Sequence, residues 1–327
     1  MNKQIFEYHP IIGYRFIPNI QTRVQHESGG YLIKTNSLGF RSELEFTPAR
    51  AKNYKRILLF GDSYTAADGV SNKKRYSDVL MQLLPETEIY NFGMPGTGTD
   101  QQYLIYKEYA KNIEHDLLMV VVLVENIRRI TAKYRVYLND KNERVVLQKP
   151  YFALEDGILV LKNTPVDPNP IKAKDLQASE KKKVDTGGRF PTIRRFINKA
   201  GLKDLAQGLT KYQPLPEYKK NKGEWLLMKS ILLKWYAELD KPLLLIPLPL
   251  HQYVEDQSDY TDIEKRFEEF NNIQNLFLFN PISCLRKFSI ADRRKFRFEF
   301  DEHPSPFGHE TYAKIFKPKI EDLLRLR

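Results

Sequence analysis

The sequence predicts an α/β fold in which a mainly parallel sheet lies between two layers of helices. From residue 55 onward, short apolar runs alternate with amphipathic stretches, which is the pattern of strands connected by helices. Runs such as LLMVVVLV at 117–124 are apolar at every position, as strands covered on both faces are. With 327 residues, 42% of them hydrophobic, the chain can bury a substantial core. These observations favour a three-layer α/β/α domain.

The predicted core elements follow one another in order. The run RILLF at 56–60 predicts the first strand, and a helix follows whose apolar residues recur at helical spacing: Tyr76, Val79, Leu80, Leu83 and Leu84. EIYNF at 88–92 predicts the second strand, a helix begins near Asp100, and LLMVVVLV is the third strand. After residue 222 the alternation returns as the helix WLLMKSILLKWYAEL, the strand KPLLLIPLPL, a charged helix from about Asp262, the strand NLFLFN and a last helix after Pro306.

Two segments depart from this alternation. Residues 1–54 are rich in turn formers and aromatic residues, and we expect them to form an extension laid over the core. Residues 128–222 read as an insertion or cap, with hairpin turns at Asn139-Asp140 and at 155–157, a loop at 165–190 and a helical stretch to about Tyr212. The predicted core therefore comprises 55–127 and 223–327.

Charge, cysteine content and the length of the apolar runs limit the partners and the compartment that we expect for the chain. Lys and Arg number 52 against 41 Asp and Glu, so the net charge is +11, which suits nucleic acid, anionic lipid or an anionic glycan. The charges are spread along the chain, which favours a solvated basic surface, and we expect no nucleic-acid partner. One cysteine, Cys284, excludes an intrachain disulfide. The apolar runs fall short of the roughly 20 residues that span a bilayer, so we expect a cytoplasmic protein without stable membrane insertion.

Polar residues follow the first three predicted strands. In an open parallel sheet the ligand crevice lies at the carboxyl ends of the strands. Ser63 in GDS could project its hydroxyl there with its own N–H nearby, although GDS alone is more typical of a turn or helix cap. NFGMPGTGT at 91–99 carries three glycines that let backbone N–H groups approach a ligand, at a spacing unlike GxGxxG. Asn126 follows the third strand, where its amide could donate to the same ligand.

A fourth block, EFDEHPSPFGHE at 299–310, precedes the last predicted helix. His303 offers a general base, and Asp301 stands two residues before it on the same loop. Glu299 and Glu302 are alternatives for the carboxylate. Asp301, His303 and His309 could also bind a metal, but zinc needs three or four well-placed ligands and the other histidines provide no partner motif. We therefore predict neither a metal nor a cofactor.

These four blocks, in this order, resemble those of the SGNH (GDSL-type) hydrolases, including bacterial members linked to cell-surface glycan metabolism. The resemblance covers 57–127 and about 242–320, and it implies an SGNH/flavodoxin-like fold. It also implies a catalytic triad and an oxyanion hole, the triad being Ser63, His303 and Asp301 and the hole Ser63, Gly96 and Asn126. In two places the chain departs from the family pattern. The third block reads VENI instead of GxND, and the acid stands two residues before the histidine instead of three.

The resemblance implies a serine esterase that removes a short acyl group, such as O-acetyl, from a carbohydrate or glycan precursor. An acyltransferase could use the same serine and histidine with a sugar hydroxyl as acceptor. A different class, a non-catalytic module that binds an anionic polymer, would explain the basic surface alone. Candidate substrate contacts are Asp62, Arg128 and His251, and the insertion adds further basic and aromatic residues, Arg129, Tyr134 and Arg135.

Overall fold

A computed structural model describes residues 5–138, 144–171, 184–185 and 213–325 of the chain. The predicted turn at Asn139-Asp140, most of the loop predicted at 165–190 and the helical stretch predicted to reach Tyr212 lie outside the described residues.

The N-terminal segment forms two antiparallel hairpins. Strand β1 (Phe6–His9) pairs with β2 (Gly13–Phe16), and β3 (Gln21–Val24) pairs with β4 (Tyr31–Lys34). Alternate positions of β2 and β4 are buried, as expected for strands with one face on a core. Phe16 and Ile33 have no exposed surface.

The first half of the core alternates strands and helices as predicted. Strands β5 (Lys55–Phe60), β6 (Thr87–Asn91) and β7 (Leu117–Leu123) are parallel and lie in the order β6-β5-β7. The helices between them are α1 (Ser63–Ala66), α2 (Tyr76–Leu83) and α3 (Thr99–Ile105), which continues as a π-helical turn, Tyr106–Ala110. Helix α4 (Asn126–Arg129) follows β7. Every residue of β7 is buried, because helices cover both faces of the sheet.

The segment after α4 forms two further hairpins. Strand β8 (Tyr134–Leu138) pairs antiparallel with β9 (Arg144–Gln148), and β10 (Tyr151–Glu155) pairs with β11 (Ile158–Lys162). Asp156 and Gly157 join the second pair, both with positive φ, as a two-residue hairpin turn requires. Strand β12 (Val184–Asp185) adds to β8 in parallel. Hydrogen bonds connect this segment to the N-terminal hairpins, since Val166 N–H donates to the Pro10 carbonyl (2.7 Å).

The chain then returns to the core. Helix α5 (Gly223–Tyr236) leads into β13 (Leu243–Leu248), followed by α6 (His251–Val254), α7 (Thr261–Phe267) and β14 (Leu276–Leu278). The last helices are α8 (Ile282–Leu285), α9 (Ile290–Arg293) and α10 (Pro306–Arg325). Strands β13 and β14 complete a five-stranded parallel sheet in the order β14-β13-β7-β5-β6. This sheet, with its helices, confirms the predicted fold class.

The last helix packs on α2, where Tyr76 lies edge-on against Phe316. This contact holds α10 in place, and His303 lies on the loop that ends where α10 begins. Within the described residues, no helix combines the length and the apolar character that crossing a bilayer would demand.

Candidate active site

The loops that leave β5 and β6 are packed against each other at the carboxyl edge of the sheet. Asn91 donates from Nδ2 to the Thr65 carbonyl (2.8 Å) and accepts the Gly93 N–H at Oδ1 (2.8 Å). Gly93 approaches so closely that a Cβ there would lie 2.4 Å from the Ala66 nitrogen. The loop after β6, which carries the three glycines of NFGMPGTGT at 91–99 and is called the glycine-rich loop below, therefore packs directly on α1, the helix that begins with Ser63.

Ser63, His303 and Asp301 form a continuous chain of hydrogen bonds. Ser63 Oγ lies 2.9 Å from His303 Nε2, and His303 Nδ1 lies 3.0 Å from Asp301 Oδ2. The Tyr64 hydroxyl donates to the Glu302 carbonyl (3.1 Å), which ties the histidine loop to α1. The structure thus places the three predicted triad residues together, and Asp301 is the carboxylate that bonds His303 Nδ1. Their roles in catalysis stay a prediction.

The hydrogen bonds and charges around His303 favour its protonated form. Burial by itself would lower the pKa of His303, but the hydrogen bond and charge of Asp301, with the charges of Asp68 and Asp62, outweigh burial and raise it. Burial would raise the pKa of Asp301, but hydrogen bonds and charge from His303 and then His26 hold it far below its usual range. Asp301 is therefore a carboxylate that can stabilise an imidazolium at His303.

Asn126 is the first residue of α4 and has no exposed surface. Among the described residues, neither the nitrogen nor the oxygen of its amide makes a hydrogen bond. Buried side-chain amides are nearly always paired, so this one has donor capacity left for a ligand. Gly96 lies in the glycine-rich loop with φ of +74°, and its carbonyl accepts from the Arg135 guanidinium.

Arg129, which follows Asn126 on α4, connects three of the four sequence segments that carry the predicted site residues. Arg129 Nη1 donates to Asp62 Oδ2 (2.8 Å) and to the Thr97 carbonyl (3.4 Å). The other carboxylate oxygen of Asp62 accepts the Tyr64 N–H (3.0 Å), which caps α1. Asp62 is 1% exposed, and its carboxylate connects the start of α1 to the glycine-rich loop through Arg129.

The other two candidate substrate contacts lie apart from this network. Arg128 pairs with Glu217 at the surface (2.7 Å). His251 begins α6, is buried, and lines a cavity of about 10 Å³ with Tyr64, Glu302 and Pro304. The cavity therefore lies beside the chain neighbours of Ser63 and His303.

The sequence did not indicate that the N-terminal hairpins reach the site. His26 Nε2 lies 2.9 Å from Asp301 Oδ2. The adjacent Glu27 accepts the backbone N–H groups of Phe300 and Asp301 through Oε1 (3.1 and 2.6 Å). No motif surrounds His26, and its partner lies 275 residues away along the chain. Only the fold reveals this contact.

His309 does not join a metal cluster with Asp301 and His303. Its ring stacks on Tyr76, and Nδ1 accepts the Tyr76 N–H (3.3 Å). Burial, followed by the charges of Arg41 and Arg75, lowers the pKa of His309 to about 3. In the part of the chain that the structure describes, no group of three or more His, Cys, Asp or Glu side chains is placed to hold a metal ion.

No family model and no curated protein matches the sequence. Solved structures do, among them a member of the lipolytic protein G-D-S-L family from Veillonella parvula, with 12% identity and a TM-score of 0.41 over 80% of this chain and 96% of the other. The chain resembles GDSL-type proteins. An acetylxylan esterase from Geobacillus stearothermophilus is also similar (12% identity, TM-score 0.38, covering 83% and 96%). A salicylyl-acyltransferase from a tetracycline biosynthetic pathway is similar at 10% identity and a TM-score of 0.35, covering 91% and 60%.

Proposed function

We propose that the chain is a serine esterase of the SGNH (GDSL) type, with Ser63 as nucleophile, His303 as general base and Asp301 as the acid that orients it. The observation that carries the proposal is the unbroken hydrogen-bond chain from Ser63 Oγ through His303 to Asp301. Nucleophile, base and orienting group at hydrogen-bond distance are the arrangement that activates a serine.

In the proposed reaction, His303 Nε2 takes the proton of Ser63 as Oγ attacks the carbonyl carbon of an ester. The carbonyl oxygen becomes an oxyanion, held by Ser63 N–H, Gly96 N–H and Asn126 Nδ2. His303 then gives its proton to the alcohol that leaves, and the acyl group stays on Ser63. Water, deprotonated by the same imidazole, releases the acid and restores the serine.

For the substrate, we propose a short acyl ester, such as O-acetyl, on a carbohydrate or glycan precursor. A short acyl group is supported by the tight surroundings of Ser63, which is 5% exposed. A sugar is supported by the sequence resemblance and by the basic residues after α4. Arg128 and His251 stay candidate substrate contacts, whereas Asp62, whose two carboxylate oxygens are bonded to Tyr64 N–H and Arg129, would act indirectly by holding Arg129.

Labelling with a fluorophosphonate probe tests the nucleophile. We expect a covalent adduct on Ser63, located by mass spectrometry, and no adduct in Ser63→Ala. Ser289→Ala, which changes an exposed serine that caps α9, is the matched control and should label like the native chain. A folded native protein that forms no adduct on Ser63 would contradict the proposal.

Acyl release in the presence and absence of sugar acceptors then identifies the acceptor. We expect release into water at a rate that does not depend on the sugar. Transfer that requires the sugar, with negligible hydrolysis, would replace the esterase with an acyltransferase at the same site. Salt-sensitive binding of an anionic polymer that Ser63→Ala leaves unchanged, together with no acyl release, would instead favour a binding module.

A further inference from the structure

One carboxylate oxygen bonds two imidazoles. Asp301 Oδ2 lies 3.0 Å from His303 Nδ1 and 2.9 Å from His26 Nε2. The second histidine belongs to the turn between β3 and β4, so it reaches the triad acid from outside the α/β core. Asp301 needs such support, because its side chain is 36% exposed and sits on a loop.

The tautomer of His26 follows from its other nitrogen. Ser28 presents two groups to His26 Nδ1: its backbone N–H at 3.2 Å, which can only donate, and its hydroxyl at 2.9 Å, which can donate as well. Nδ1 of the neutral ring is therefore an acceptor, and the proton is on Nε2. His26 consequently donates a hydrogen bond to Asp301 Oδ2 and leaves the carboxylate charge available to His303.

The ring of His26 is fixed by its neighbours. It packs edge-on against Phe298, with ring centroids 4.5 Å apart, and against Tyr31 at 5.8 Å. Gly69, with φ of +92°, lies beneath both rings, and a Cβ there would come 2.5 Å from Phe298 and 3.1 Å from the His26 ring. Glu27 holds the backbone of Asp301 at the same time. Consecutive residues of one turn thus hold the side chain and the backbone of the triad acid.

We propose that His26 is a positioning residue of the catalytic site, whose Nε2–H fixes the Asp301 carboxylate in the orientation that His303 requires. The inference rests on the proposed function. It extends the Ser63–His303–Asp301 chain to a fourth member that comes from the N-terminal segment. The titratable or charged groups round His26 are Asp301 on its loop, Tyr31 on β4, Asp68 and Arg41 near Tyr31, and Glu27 beside it in the chain.

Two variants separate positioning from packing. His26→Phe keeps a ring against Phe298 and Tyr31 but loses the donor, whereas His26→Gln keeps an N–H donor near the place of Nε2 and loses the ring. The rate of fluorophosphonate labelling at Ser63 is measured across pH. We expect His26→Phe to lower the plateau rate about tenfold and to move the midpoint to lower pH, because a loosened Asp301 supports the protonated form of His303 less. His26→Gln should restore both.

Equal plateau rates and midpoints for His26→Phe and the native chain would overturn the inference, as would a slower rate without a change of midpoint. Equal impairment of both variants would also overturn it. His9→Phe is the matched control, since His9 is a buried histidine of the other N-terminal hairpin, bonded to Tyr109 and, within the described residues, not to Ser63, His303 or Asp301. Its labelling should equal that of the native chain.

Imidazole ¹⁵N NMR tests the same inference without catalysis, so its failure can be told from failure of the proposed function. We expect the proton of neutral His26 on Nε2, and a lower pKa of His303 in His26→Phe but not in His26→Gln. A proton on Nδ1 of His26, or an unchanged His303 pKa in His26→Phe, would overturn the inference even in a protein that labels at Ser63.

Discussion

Asn126 combines full burial with an amide that no described residue bonds. We expect Asn126→Ala to lower kcat about 100- to 1000-fold, because one oxyanion donor is typically worth about 3–4 kcal/mol in the transition state. KM should change little, since the donor acts on charge that develops during the reaction. Steady-state kinetics on a short acyl ester checks both.

The stability of Asn126→Ala separates this role from a structural one. A side chain that makes no hydrogen bond in the folded protein loses none when it is truncated, so we expect only the small cost of a lost contact surface, about 1 kcal/mol or less. A large loss of stability in urea denaturation, with kcat preserved, would assign Asn126 to the fold.

The raised pKa of His303 predicts how activity depends on pH. His303 must be neutral to take the Ser63 proton, so activity is present above its pKa and is lost as pH falls through it. Because Asp301 raises that pKa, we expect the labelling rate to rise with pH through a midpoint above the ordinary histidine value of about 6.5. In Asp301→Asn the midpoint should fall below that value, since burial then dominates. A midpoint that does not move would mean that Asp301 does not act on His303.

The sequence alone could identify some residues of the candidate site but not others. Ser63 and His303 stand in recognisable blocks, whereas for the acid the sequence offers Asp301 at an unusual spacing, with Glu299 and Glu302 as alternatives. In the structure Asp301 Oδ2 lies 3.0 Å from His303 Nδ1. His26 and Arg129 could not be assigned, since their partners lie 275 and 67 residues away and a lone basic side chain carries no spacing signal.

At the scale of elements, the short helix α1 depends on a buried arginine from the N-terminal segment. Arg41 has no exposed surface and donates to the carbonyls of Ala66, Ala67 and Val70 at 2.7–2.8 Å. The carbonyls of Ala66 and Ala67 lie at the end of the helix that begins with Ser63, and a four-residue helix satisfies few of its own carbonyls. Arg41 therefore provides hydrogen-bond donors at the carboxyl end of α1.

We expect Arg41→Met to lower the free energy of unfolding by at least about 3 kcal/mol, because it leaves several buried carbonyls without a donor. Urea denaturation measures this. Arg23→Ala is the matched control: Arg23 also donates to backbone carbonyls, those of Gly29 and Gly30, but it is exposed. It should cost no more than about 0.5 kcal/mol. Similar losses in both variants would contradict the role given to Arg41.

The elements of the core were largely predictable, because most of its strands contain an apolar run and the apolar residues of α2 and α5 recur at helical spacing. Helices α6, α8 and α9 were missed, since four residues are too few for a period of 3.6 to appear. The parallel addition of β12 to β8 was missed as well, because strand pairing depends on the fold and not on local pattern.

At the scale of the whole molecule, a buried ion pair fastens the segment after α4 to the core. Lys149, between β9 and β10, lies 2.6 Å from Asp100 of α3, and their side chains are 3% and 0% exposed. Lys149 Nζ also donates to the carbonyls of Arg129 and Ala132. The pair connects the hairpins to the helix that follows the glycine-rich loop.

We expect Lys149→Met alone to lower the free energy of unfolding by about 3–5 kcal/mol, since it leaves the buried carboxylate of Asp100 without its charged partner. The double variant, Lys149→Met with Asp100→Asn, should lose at least about 2 kcal/mol less free energy of unfolding than the two single variants lose in sum. Urea denaturation of the four proteins gives the coupling. The exposed pair Lys107–Glu238 is the control, with expected coupling below about 1 kcal/mol. Additive losses at Lys149 and Asp100 would show that the two charges do not depend on each other.

The contact between His26 and Asp301 also limits when, during synthesis of the chain, the complete site can form. The 275 residues between them take roughly 15–55 s to synthesise at about 5–20 residues per second. Ser63 and strands β5, β6 and β7 leave the ribosome long before His303 and Asp301. On the proposed function, the nascent chain thus carries its nucleophile for most of its synthesis without a base to activate it.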